Sequence, residues 1–243
     1  MTTLIRILAT TLLALLLSAC HFEFHQVDGN GNVVEKELEI DQDFTEIAVK
    51  NGWEVTLKKG TEPRANAAID ENLYEYLDIH VDGKTLVVEM IDNYNVGTAT
   101  SQKIEVIYTQ NLEKLKASSA GEITTEDTLM GEDMLFDVSS AGRISAKIEV
   151  RNVSLDASSA GNIDLSGLAQ TFDGEASSAA NVDAQDLKTE TATADVSSAG
   201  SIKIFASKKI EAEASSGGSV SYWGNPAEIR DSESSGGSVN KKS

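Results

Sequence analysis

The chain has 243 residues, of which 39 are acidic and 20 basic, giving a formal charge of −19. That surplus makes nucleic acid and anionic lipid headgroups poor partners, because both carry charge of the same sign. Cys20 is the only cysteine, which excludes a disulfide within the chain.

Residues 1–19 read as an export signal: a short polar start with one cation, Arg6, leads into the apolar stretch Ile7–Leu17 and then into small residues. The stretch is too short to span a bilayer, and no later one approaches the roughly 20 residues a transmembrane helix needs. Leu17-Ser18-Ala19-Cys20 resembles the lipobox of bacterial lipoproteins. The resemblance implies cleavage before Cys20, whose sulfur would carry a diacylglycerol, so the membrane becomes a partner through that lipid. Losing Arg6 with the signal takes the formal charge from −19 to −20. The lipobox implies a lipid-anchored place in the cell envelope, and His in place of Asp at position 21 implies the outer membrane if the host is Gram-negative. Residues 20–37 are expected to be anchor and tether. His21 and His25 lie there, but two ligands on a flexible segment make a poor metal site; no metal and no other cofactor is expected.

From about residue 27 to 116 the punctuation is that of β-hairpins. Asp28-Gly29-Asn30-Gly31-Asn32 and Asp82-Gly83 separate alternating strands such as Ile79-Val81 and Leu86-Val88. Glu71 to Leu77, with Leu73, Tyr74 and Leu77 on one side, suits one or two helical turns. This part is expected to be irregular β structure that begins or caps the remainder of the chain, within one domain spanning 38–243.

Between residues 118 and 239 a hexapeptide recurs seven times: SSAGEI from 118, SSAGRI from 139, SSAGNI from 158, SSAANV from 177, SSAGSI from 197, and SSGGSV from 215 and 234. The intervals are 21, 19, 19, 20, 18 and 19 residues, shorter than those of helical repeats, and no leucine ladder is present. Between copies the residues alternate, as in Ile144, Ala146, Ile148 and Val150, the period of strands. A coil of short parallel strands, one turn per repeat, satisfies both observations, since one turn cannot bury its apolar face alone. The glycine of each hexapeptide is expected to turn the corner with positive φ. Glu233 replaces the small apolar residue that precedes Ser-Ser elsewhere, and with Lys241-Lys242 it reads as a terminal cap.

The chain from about Phe44 to Val239 resembles the head GIN domain family of exported bacterial proteins. The resemblance rests on Phe44-Thr-Glu-Ile47-Ala-Val49, Gly60 before a strand, Asn72-Leu73 in the short helical segment, Gly83 followed by Leu86, and the Ser-Gly-Ile punctuation of the repeat. It implies an all-β fold, a single-stranded right-handed parallel β-helix, and the role of an adhesin with no assigned ligand or catalytic residue.

Stacking the hexapeptides creates two outward columns: Glu122, Arg143, Asn162, Asn181, Ser201, Ser219, Ser238, and Thr124, Ser145, Asp164, Asp183, Lys203, Ser221, Asn240. Glu122 would meet Arg143, and Asp183 would meet Lys203. Asp164 and Asp183 would stand about 5 Å apart, the carboxylate separation of retaining glycosidases, or could form a weak cation site. A solvated pair relieved by Lys203 is the plainer reading, and no catalytic residue is assigned. Trp53, Tyr222 and Trp223 suit either stacking on a sugar or packing at the coil ends. The functional expectation is a noncatalytic surface interaction or adhesion module contacting glycan or an envelope protein. The alternative is a carbohydrate-active β-helix enzyme.

Overall fold

The computed structural model describes residues 25–243; the expected export signal, Cys20 and His21 lie outside the described residues. The first half contains β1 (His25–Val27), β2 (Val33–Glu39), β3 (Glu46–Val49), β4 (Glu54–Lys59), β5 (Arg64–Asp70), β6 (Leu77–Asp82), β7 (Thr85–Met90), β8 (Tyr94–Val96) and β9 (Gln102–Tyr108). The second contains β10 (Lys114–Ala117), β11 (Glu122–Thr125), β12 (Leu129–Val138), β13 (Arg143–Ala157), β14 (Asn162–Ala176), β15 (Asn181–Val196), β16 (Ser201–Ala214), β17 (Ser219–Trp223), β18 (Glu228–Glu233) and β19 (Ser238–Lys241). One 3-10 helix, Glu71–Glu75, lies where the helical turn is expected, with Leu73 buried.

The protein is a β-solenoid of about seven turns. From β10 onward each strand pairs in parallel with its equivalent one repeat later, as in Ile144↔Ile163↔Val182↔Ile202↔Val220. Inward positions alternate along each layer: in β13, Ile144, Ala146, Ile148 and Val150 are buried, the alternation slips at Arg151-Asn152, and Val153, Leu155 and Ala157 are buried again. Two successive outward residues are what a chain turning a corner needs. Burying each Val, Leu or Ile contributes about 1.5–3 kcal/mol, and the stacked interior collects these side chains into one core.

The Ser-Ser-Ala-Gly corner differs from expectation. Ser119 and Ala120 carry the positive φ values, 49° and 61°, and the pair recurs at Ser140-Ala141, Ser159-Ala160, Ser178-Ala179 and Ser198-Ala199. Two left-handed residues cost about 1–2 kcal/mol each. Hydrogen bonds offset this: Ala120 N–H donates to the Ser140 carbonyl, and Gly121 N–H to the Ser118 carbonyl, at 3.0 and 2.9 Å. The glycine serves a different purpose, since a Cβ on Gly142 would come within 2.5 Å of the Ala117 carbonyl oxygen in the preceding layer. In the fourth copy, Ala180 is accommodated and buried.

The first half holds two hidden layers. Asn51 and Gly52, with φ of 57° and 76°, form a corner between β3 and β4, and Gly52 N–H donates to the Ser119 carbonyl at 3.0 Å. This layer lies under β10 and β11. Beneath it lie β7 and β9, parallel to β3 and β4 although later in the chain. Layer order in space is therefore permuted relative to the sequence. Beyond that, pairing turns antiparallel: β6 on β7, β5 on β9, and β2 on β5. The outermost strand, β2, exposes Glu35, Glu37 and Glu39, charges that discourage another strand from joining an edge.

The expected tether does not extend to residue 37. β1 pairs with β8 and β2 with β5, so among the described residues the segment from His25 to Glu37 already takes part in strand pairing. Asp28 and Asp70 hold this segment. Asp28 Oδ1 accepts from Thr98 N at 2.8 Å, and the fully buried Asp70 accepts from the backbone N–H of Gly31, Thr100 and Ser101 at 2.6, 2.8 and 3.1 Å. Burial of Asp70 opposes ionisation, but these donors prevail and hold its carboxyl below the ordinary value.

Candidate functional site

The two columns expected on the outer face are present and in register, Asp164↔Asp183 included. Their pairing differs in one respect. Arg143 reaches forward to Asp164, Nη1 to Oδ2 at 3.3 Å, instead of pairing with Glu122, while Lys203 Nζ lies 2.8 Å from Asp183 Oδ2 as expected. The hydrogen bond from Lys203 to Asp183, and then the charge of that carboxylate, raise the Lys203 pKa. Each acid thus already holds a cation, and the side chains of Asp164 and Asp183 are 46% and 33% exposed. Neither is in the apolar, partly dry setting that keeps a catalytic carboxylic acid protonated.

A second set of acids lines the opposite flank of the corner. The residue two places before each Ser-Ser is Lys116, Asp137, Asp156, Glu175, Asp195, Glu213 and Ser232 in turn, stacked in register. Lys116 neutralises Asp137 at 2.8 Å. Among the described ion pairs none includes Asp156, Glu175, Asp195 or Glu213. Asp173 and Glu211 lie one column away. Together with Ser158, Ser177, Ser197 and Ser215 the stacked acids line a shallow open groove. Asp195, at its middle, has its pKa raised by withdrawal from water and then by the charges of Glu213, Glu175, Asp173 and Glu211. The outward columns legible in sequence lie within and just after the hexapeptide; the same alignment carried two places upstream of Ser-Ser exposes this column.

Trp53 and Tyr222 are buried, which removes them as sugar-stacking platforms. The Trp53 indole N–H is buried without a partner. His25 sits in β1 with its ring centroid 5.5 Å from that of Tyr94, not on a tether beside His21. Asp78, His80 and Glu89, on β6 and β7, were not singled out from sequence, yet their ligand atoms all lie within 4.8 Å of one another. Among the described residues, no helix is long and apolar enough to cross a membrane.

Comparison with known proteins gives a consistent picture of the fold. The family model described as "Putative auto-transporter adhesin, head GIN domain" matches residues 43–226. A "putative adhesin" of Bacteroides fragilis superposes with a TM-score of 0.79 at 16% identity, covering 89% of this chain and 100% of that one. A "putative lipid binding protein" of Parabacteroides distasonis gives 0.73 at 24% identity, covering 90% and 100%. A "putative adhesin" of Parabacteroides merdae gives 0.71 at 20% identity, covering 90% and 99%. No curated protein matches the chain.

Proposed function

Because this chain belongs to the head GIN domain family, we propose that it is a noncatalytic interaction module of the cell envelope, held to a membrane by a lipid on Cys20 and meeting its partner through the acidic flank of the coil. One observation carries the reading. Asp156, Glu175, Asp195 and Glu213 stand on consecutive layers, in register, with no cation paired to them among the described residues. Acids spaced at about 4.8 Å repel one another, and a basic surface laid along them relieves all four together. The stacked layers fix their spacing before contact, so little ordering is required on binding. The partner class is therefore a basic protein surface of the envelope. Carbohydrate cleavage has weaker support, because Asp164 and Asp183 are exposed and each is paired with a cation.

The test immobilises the mature protein by its N-terminus in an envelope extract and washes at low and high salt. Capture of basic proteins, released by salt and lost in a variant carrying Glu175→Lys and Asp195→Lys, is expected. Equal capture by that variant, or capture of neutral polysaccharide alone, would overturn the reading.

A further inference from the structure

β6 and β7 form the antiparallel hairpin that turns at Asp82-Gly83 and closes the outer edge of one face of the coil. In its register Asp78 faces Glu89 directly, and His80 comes after Asp78 at i+2 on the same side of the strand. Two carboxylates opposed across an antiparallel pair destabilise it, and here each has found a partial remedy. Lys50 Nζ lies 2.6 Å from Glu89 Oε2, and His80 Nδ1 lies 3.2 Å from Asp78 Oδ1.

We propose that Asp78, His80 and Glu89 form a site for a first-row divalent metal ion of the zinc type. Two ligands at i and i+2 on one strand with a third across the ladder present three donors to one point. Ligand atoms about 2.0–2.2 Å from zinc stand roughly 3.3–3.6 Å apart in tetrahedral geometry. The His80–Asp78 separation of 3.2 Å already has that value, and the full set fits within 4.8 Å. Glu89 closes the remainder by leaving Lys50 and turning toward the imidazole. An imidazole with two carboxylates favours zinc or copper over calcium and magnesium, which prefer oxygen alone. The fourth position faces solvent, since the side chains of Asp78 and His80 are 42% and 44% exposed, and it would take water or a donor atom from a partner. Bound metal would clamp β6 onto β7, where the coil gives way to antiparallel pairing. This site stands apart from the acidic flank, and neither reading depends on the other.

The experiment titrates Zn²⁺ into the full chain carrying Cys20→Ser, His21→Ala and His25→Ala, which removes the one thiol and the only other two imidazoles, and tracks both heat of binding and melting temperature. One equivalent of Zn²⁺ is expected to bind and to raise the melting temperature, with excess Ca²⁺ failing to compete. His80→Ala should weaken binding by at least about 10-fold, more than the loss of an outer-shell partner, with only a small fall in the metal-free melt from the lost His80–Asp78 contact, whereas Lys50→Met should strengthen binding by freeing Glu89. Equal Zn²⁺ affinity in His80→Ala, displacement by Ca²⁺, or weaker binding in Lys50→Met would each overturn the proposal.

Discussion

Ala141 and Gly142 are neighbours in one corner and tolerate opposite changes. Ala141 has a φ of 61°, so Ala141→Gly removes left-handed strain and should be neutral or stabilise by up to about 1 kcal/mol. The last two copies already carry Gly217 and Gly236 at that place. Gly142→Ala would set a Cβ 2.5 Å from a backbone oxygen, and overpacking of that kind costs about 1–3 kcal/mol. Denaturant melts of the two variants decide this; equal effects would mean that the corner geometry is misassigned. The repeat made the glycine legible but not its purpose, because a string of letters does not show how closely the preceding layer passes. Two carboxyls have opposite pH signatures. Asp70 is held below its ordinary value, so its contribution is present above the unfolded pKa of about 3.9 and is lost as pH falls through the lower folded value. Asp195 is raised, so its contribution is present below about pH 3.9 and lost as pH rises through the folded value. Asp70→Asn should therefore destabilise at neutral pH and Asp195→Asn should stabilise there, both differences shrinking in acid. Thermal melts across the acid range measure both.

Among the elements, the strands of the repeat were readable throughout, since a period of two between fixed corners leaves one register that buries Ile144, Ile163, Val182 and Ile202 together. The β3–β4 corner was not readable, because Lys50-Asn51-Gly52-Trp53 shares no letter with Ser-Ser-Ala-Gly at matching places although Asn51 and Gly52 take the same backbone turn. Asn51 completes it with its side chain, its Oδ1 accepting from Met90 N at 3.2 Å. The acid column belongs to this scale as well. Each strand donates one member, and the repulsion exists only between strands. Glu175→Gln removes the charge facing both Asp156 and Asp195 and should stabilise by about 0.2–1 kcal/mol. The gain should fade in high salt. A loss of stability would show that Glu175 makes a favourable contact its charge requires.

For the whole molecule, the legible part was the solenoid and its length; the order of its first layers was not, since long-range pairing leaves no local mark. Deleting residues 158–176 joins Ala157 to Ser177, restoring an Ala-Ser junction and bringing β13 against β15. The product should fold with the same circular dichroism per residue and melt at a lower temperature, as expected of a protein stabilised layer by layer; an unfolded product would mean that the layers are not equivalent. The proposed anchor is tested by Cys20→Ser, which should abolish incorporation of labelled fatty acid. The permuted layer order also has a mechanical side. Pulled from its C-terminal end, the coil should unzip in even steps, each 19-residue layer releasing about 65 Å of chain at ~3.4 Å per residue. Once β10 and β11 are gone, the strand next in line is β9, which is not on top: it lies beneath β4 and is clasped on its other side by β5. Force must then slide strands past one another along their length instead of parting them one bond at a time, so the sawtooth should end in a single, taller rupture, a brake wound into the end nearer the proposed membrane anchor.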